Sequence, residues 1–260
     1  MTLEKLLQSQ GFGSRRQCRN LILDGRVAVD GIPCLQPGAE FAPENISFSV
    51  DGSTWRYRER VYLALHKPAG YECSHKTHMH PSVFSLLPPE LIARGIQCVG
   101  RLDQDTTGLL LLSDDGGFIH RCSAPKRGIP KVYRVTTRHP LAAPQIEALL
   151  AGVVLRDDPQ PVTALACRQI AEHELELTIG EGKYHQVKRM LAAVGNRVEQ
   201  LHRSAVGGLQ LEPGLAPGHW RWLEADDLAS IDGGALASIC KTSQPSAGAS
   251  SSSNVRRYQP

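Results

Sequence analysis

The chain has 260 residues, 41% hydrophobic and 21% charged, which excludes an intrinsically disordered polymer and allows two domains with real cores. A net charge of +3 is too small to establish a nucleic-acid partner, so the placement of the basic residues matters more than their number. No apolar run approaches the roughly 18 residues of a membrane span, and Glu4 and Lys5 interrupt the leucines where a signal core would lie, so no membrane association is expected. Seven cysteines, scattered from Cys18 to Cys240 without a C-x-x-C pair, argue against a disulfide framework or zinc ribbon and fit a reducing cytoplasm.

Leu3, Leu6 and Leu7 give a short helical face. Ser14 with Gln17 is a capping-box signature for a second helix, in which Cys18, Leu21 and Ile22 face inward and Arg15, Arg16 and Arg19 fall outside. Gly25 ends that helix, Arg26-Val27-Ala28-Val29 reads as a strand and Asp30-Gly31 as a hairpin turn. Arg15, Arg16, Arg19 and Arg26 make a candidate phosphate-contacting face, although charge alone describes a solvated face equally well. Residues 51–60, opening with Asp51-Gly52-Ser53, read as a linker.

From Val61 to Ile231 strand-like and helix-like segments alternate, which predicts an α+β domain. Strands are expected at Val61–Leu65, Leu109–Leu112, Val132–Thr136, Leu175–Ile179 and Val198–Leu201, and helices at Pro144–Leu150 and His185–Val194. The Ser-, Ala-, Gly- and Pro-rich stretch 241–260, with Arg256 and Arg257, reads as a disordered tail.

The densest polar signal is Gly100-Arg101-Leu102-Asp103-Gln104-Asp105-Thr106-Thr107-Gly108, running straight into Leu109–Leu112 and then Ser113-Asp114-Asp115-Gly116. A carboxylate at the entrance to an apolar strand is held rather than floppy. An isolated Asp-x-Asp is more often a plain turn, and a calcium loop would need a Glu where Asp114 stands and a polar residue where Leu111 stands. Cys73, His75, His78 and His80 offer metal-ligand chemistry at a spacing that suits no closed zinc site, and a basic RNA-facing loop is the simpler reading.

Two resemblances organise these signals. The run S-R-R-Q-C-R-N-L-I-L-D-G-R-V-A-V-D-G resembles the S4 RNA-binding domain over residues 1–50, except that Thr2-Leu3-Glu4-Lys5 replaces the usual Arg-Leu-Asp-Lys. The run G-R-L-D-Q-D-T-T-G-L-L-L-L-S-D-D-G resembles the signature of bacterial ribosomal pseudouridine synthases, in particular the group with an N-terminal S4 domain. Lys67-Pro68-Ala69-Gly70, Lys131-Val132-Tyr133-Arg134-Val135 and Glu181-Gly182-Lys183-Tyr184-His185-Gln186-Val187-Lys188-Arg189-Met190 match further motifs of that group in order. Pro130 departs from the Glu common before its K-x-Y.

The resemblance implies an S4-type domain over 1–50, then a mixed-sheet pseudouridine synthase catalytic domain over 61–231. It implies catalytic roles for Asp103, Tyr133 and Lys188. It also implies rRNA as partner, as free RNA or in a small-subunit assembly intermediate, for a monomer that needs no cofactor or metal. Lys-Tyr-His-Gln-Val-Lys-Arg-Met with Leu-His-Arg is most similar to members acting on 16S rRNA, whereas large-subunit relatives often carry Asn-Arg-Gln/Glu-Val-Arg-Arg-Met. A 23S enzyme and a non-catalytic S4-type RNA-binding protein are the alternatives.

Pseudouridine formation breaks the C1′–N1 bond, turns the uracil and rejoins it through C5. A carboxylate suits the electron-poor C1′, and a nearby cation such as Lys188 opposes its neutralisation by burial. Tyr133 offers a ring for the displaced base and a hydroxyl for proton transfer. Lys67, Arg101, Lys183, His185, Arg189, His202 and Arg203 are candidate contacts to the RNA strand.

Overall fold

The computed structural model describes residues 1–44, 46–77, 79–156 and 158–233. His78 and the tail 241–260, with Arg256 and Arg257, lie outside the described residues. The N-terminal part runs α1 (Leu3–Ser9), α2 (Arg15–Leu23), β1 (Val27–Val29), β2 (Ile32–Pro33), β3 (Ser47–Val50) and β4 (Ser53–Arg56). The rest runs β5 (Tyr62–Lys67), α3 (Pro89–Ala93), β6 (Gln97–Val99), β7 (Thr107–Ser113), α4 (Gly116–Ser123), β8 (Lys131–Thr137), α5 (Ala143–Ala151), β9 (Val153–Leu155) and β10 (Asp158–Val162). It ends with β11 (Ala166–Ala171), β12 (Glu174–Ile179), α6 (Gln186–Ala193), β13 (Val198–Val206), β14 (Leu209–Gln210), β15 (Trp220–Trp222) and α7 (Ala225–Gly233).

In the N-terminal unit the capping box forms as its sequence suggests: the Ser14 hydroxyl accepts from Gln17 N and the Gln17 side chain accepts from Ser14 N. Cys18 and Ile22 then close on Leu3, Leu6, Leu7, Val27 and Phe48. Residues 51–60 are not the linker expected of them. Asp51 and Gly52 both take positive φ, 50° and 79°, as a two-residue hairpin turn requires, and they fold β4 back onto β3. Trp55 on β4 meets Phe12 edge-to-face at 5.3 Å, so this segment completes the small core.

The remaining stretch is no freer. Arg94 donates to Gln10 Oε1 (3.1 Å), to the Arg58 carbonyl (2.7 Å), to the Glu59 carbonyl (2.8 Å) and to Asp114 Oδ2 (2.7 Å), while Asp114 Oδ1 accepts from Val61 N (2.7 Å). The Arg94 and Asp114 side chains are only 6% and 10% exposed. A pair that enclosed costs about 3–5 kcal/mol to break from one side. Gly11 presses so closely on Glu90 that a Cβ there would collide with the Glu90 carbonyl.

The large sheet has the order β11–β12–β8–β13–β7–β5–β15, with β14 beside β13 and β6 beside β7. β13 and β7 pair in parallel while their other neighbours are antiparallel, which makes the sheet mixed. The unbroken leucine run of β7 follows from burial on both faces. Leu110 and Leu112 join one core with Leu63, Leu65 and Val135, and Leu109 and Leu111 join the other with Phe118, Val206 and Ile231. Each enclosed leucine contributes about 1.5–3 kcal/mol, which gives the loop entering β7 a stiff foundation.

Candidate active site

Asp103 lies in the loop between β6 and β7, and the end of β5 with the stretch that follows it braces that loop at three places. Lys67, at the end of β5, is fully enclosed; its Nζ donates to the carbonyls of Pro68 (3.0 Å), Gln104 (3.1 Å) and Thr106 (2.8 Å). Gly70 N adds a bond to the Gln104 carbonyl (2.9 Å) from a φ of +88°. The Lys-Pro-Ala-Gly motif is therefore the cradle of the Asp103 loop. This corrects the expected role of Lys67, because an ammonium committed to three carbonyls inside the protein is not presented to a phosphate.

The Cys/His segment supplies the third brace and makes no metal cluster among the described residues. Cys73 Sγ accepts from Leu102 N (3.5 Å) and His80 Nε2 lies 3.3 Å from Gln104 Nε2. His75 turns away, bonding the Ile96 carbonyl and stacking on Phe84 at 3.6 Å. The calcium-loop positions also diverge, since Asp114 is engaged by Arg94 and Val61 at the far end of β7.

Asp103 is 28% exposed and meets the start of α6. Lys188 Nζ is 3.1 Å from Asp103 Oδ2, and His185 Nε2 is 3.2 Å from Asp103 Oδ1. Lys188 also bonds both oxygens of Asp105, at 2.7 and 2.9 Å, so the two aspartates share one ammonium. Burial opposes charge on both partners, yet their hydrogen bonds prevail: Lys188 rises above the ordinary lysine value and Asp105 falls below the ordinary aspartate value. His185 takes a left-handed backbone, φ 48°, immediately before α6. Strained backbone of this kind clusters at functional sites. Here it turns the His185 ring toward Asp103 and stacks it on the exposed Tyr184 at 3.8 Å.

Asp103 opens onto a cavity of about 120 Å³ whose lining includes Tyr133, Lys131, Arg203, Lys183, Ile179 and Val187. Tyr133 is 8% exposed and sits on β8 directly across from Arg203 on β13. Gly108 is required beside them: its φ is +107°, and a Cβ there would collide with the backbone of Arg203. That close approach lets Arg203 Nε reach the Leu109 carbonyl at 2.8 Å.

The remaining candidates divide. Arg101, Arg16 and Arg19 are exposed. Arg15 is held by Glu4 at 2.8 Å and Arg26 by both oxygens of Asp51 at 2.6 Å. Lys183 pairs with Asp158 at 2.6 Å, and Arg189 donates to the Tyr184 carbonyl at 3.3 Å. Arg203 is 3% exposed and His202, its neighbour on β13, is absent from the cavity lining and bonds Thr107 Oγ1 at 2.9 Å. Arg203 is therefore off any open strand-binding surface, which corrects the expectation for it, whereas His202 is half-buried. Asp105, Tyr184 and Lys131 were not among the expected site residues. Lys131 was signalled by its position two residues before Tyr133, hence on the same side of a strand. The sharing of Lys188 with Asp105 had no local signal.

Residues 61–193 match the RNA pseudouridylate synthase family and residues 1–44 match the S4 domain. Ribosomal small subunit pseudouridine synthase A of Escherichia coli (strain K12) is 38% identical over 232 residues, covering 89% of this chain and 100% of that protein. The protein of the same name from Vibrio cholerae (serotype O1) is 38% identical over 231 residues, 89% of this chain and 99% of its own. A crystal structure of a pseudouridylate synthase superposes with a TM-score of 0.64 at 32% identity, covering 89% of this chain and 99% of its own.

Proposed function

The chain belongs to the RNA pseudouridylate synthase family, and on that footing we propose that it converts one uridine of 16S rRNA to pseudouridine, with Asp103 as its catalytic carboxylate. The observation that carries this reading is the Asp103–Lys188 pair at 3.1 Å, set at a cavity that Tyr133 also lines. Asp103 acts on C1′ as nucleophile or as stabiliser of its developing positive charge. Lys188 supplies the matching positive charge and fixes the carboxylate's direction. Tyr133 offers its ring to the uracil while the base turns. The target leaves its stack to reach Asp103.

The choice of 16S rRNA rests on the small-subunit relatives and on Lys183-Tyr184-His185-Gln186-Val187-Lys188-Arg189-Met190. Of the four candidate arginines of the N-terminal domain, Arg16 and Arg19 are the ones offered to phosphates, since Arg15 and Arg26 already have carboxylate partners. The isomerisation is redox-neutral and no step calls for a metal or cofactor.

Pseudouridine mapping of 16S and 23S rRNA incubated with the protein tests the assignment. The expected result is a single modified site in 16S rRNA, undiminished in EDTA and lost with Asp103→Asn while RNA binding persists. Modification of 23S alone would move the enzyme to the large subunit. Full activity of the Asn variant would remove Asp103 from the chemistry.

A further inference from the structure

The cavity beside Asp103 ends on charges that the catalytic scheme above leaves unused. Lys131 and Tyr133 are two residues apart on β8, and Arg203 lies across from Tyr133 on β13, so the three form one patch of the central sheet. Arg203 is 3% exposed, its Nε is spent on the Leu109 carbonyl, and its Nη2 is buried with no hydrogen-bond partner. Lys131 has no carboxylate partner among the described residues. Burial, then the Arg203 charge, pull its ammonium below the ordinary lysine value. Among the described residues lining the cavity the carboxylate is that of Asp103, already matched by Lys188. A half-buried ammonium beside an enclosed guanidinium works against the stability of the fold, so their purpose belongs to something that enters.

Resting on the pseudouridine synthase reading, we propose that Lys131 and Arg203 cradle the uracil anion released when the C1′–N1 bond breaks, which makes them catalytic groups for the isomerisation. The placement follows from the substrate's connectivity. C1′ must meet Asp103, and the phosphates must remain continuous with an RNA chain outside the pocket, where Arg101 stands exposed. The base therefore projects past Asp103 toward Tyr133, Lys131 and Arg203.

The electron balance shows why cations serve there. The bonding pair of C1′–N1 leaves with the uracil, spreading negative charge over N1, O2 and O4. Asp103 takes up the positive centre at C1′ by bonding to it, or the sugar loses a proton instead. On rejoining, C5 supplies the pair for the new C5–C1′ bond as the Asp103–C1′ bond breaks and its pair returns to the carboxylate, or as the proton lost from the sugar is returned to it; the C5 proton departs and N1 gains a proton, so no oxidant or co-reactant is consumed. Neutral bound uridine gains little from the two cations and the anion gains much, the differential stabilisation that accelerates a reaction.

The test uses the full chain and 16S rRNA made with uridine or with 5-fluorouridine. Lys131→Met is the main variant, because removing the enclosed guanidinium of Arg203 risks the fold. The single-turnover rate at saturating RNA is expected to fall about 100-fold, with the RNA Kd unchanged and most of the rate restored in Lys131→Arg. With 5-fluorouridine, whose uracil anion is less basic, the Lys131→Met penalty on loss of the N-linked nucleoside is expected to shrink several-fold. A weakened, salt-dependent Kd with an intact saturated rate would show a phosphate contact and overturn the proposal. Equal penalties on the two RNAs would overturn it as well. Wild-type protein that forms no pseudouridine would remove the parent reading, and this one with it.

Discussion

On α2, Arg16 and Arg19 stand in solvent and exposed Arg15 leans on the buried carboxylate of Glu4; around Asp103, Lys188 is shared by two aspartates, Lys131 is half-buried and Arg203 is drawn inside. The same charges serve under different rules. An exposed arginine costs the fold little and gives back little, because water screens it and exposed pairs contribute about 0–1 kcal/mol. An enclosed cation is expensive and must be held by carbonyls, by carboxylates or by a ligand. Outer charges attract the RNA chain in general, whereas inner charges act on a chosen atom.

The sharpest way to break this contrast is at the inner set. Lys188→Met should lower the saturated rate by about 100- to 1,000-fold, the range for losing one preorganised charge, with RNA affinity retained; single-turnover assays and filter binding read the two effects. Comparable losses in both would erase the distinction. Next comes Lys67→Met, which would take the ammonium away from the Pro68 and Thr106 carbonyls and leave the Gln104 carbonyl with Gly70 N alone. It should cost about 3 kcal/mol, seen as a melting point lower by about 10 °C, and slow turnover through a loosened Asp103 loop. The outer set should respond differently. Arg16→Ala with Arg19→Ala should weaken RNA binding roughly tenfold at low salt, flatten the salt dependence of Kd and leave the saturated rate alone.

The smallest effect concerns pH. The folded protein holds Asp105 below the ordinary aspartate value, with burial opposing and the Lys188 hydrogen bond prevailing. Its contribution is therefore complete above the unfolded pKa of about 3.9 and disappears as pH falls through the lower folded value. Asp105→Asn should flatten the acid limb of melting temperature against pH. A limb as steep as in the wild type would show that this pairing adds nothing to stability.

Features carried by neighbouring residues were legible in the sequence. The Ser14–Gln17 box, the Asp30-Gly31 turn and the leucines of β7 each depend on contacts a few residues away or on burial of a continuous run. Asp51-Gly52 carried an equally good hairpin signal, but the short β4 that follows has little apolar character of its own to mark it as a strand. Asp103, Tyr133 and Lys188 could be singled out by motif, but their arrangement could not be read from it. β8 lies between β12 and β13, and β13 runs parallel to β7, so the cavity joins segments that local periodicity cannot relate. Lys67 makes the point most simply: nothing in Lys-Pro-Ala-Gly says that the ammonium turns inward.

Arg94 has a consequence beyond its own bonds. One guanidinium holds the side chain of Gln10, two carbonyls from the connecting segment and the carboxylate at the end of β7. Swivelling of the N-terminal module would strand Gln10 and the two carbonyls of the connecting segment together. The two domains should therefore melt as one cooperative unit, and a single calorimetric transition that splits in two in Arg94→Ala would be its signature.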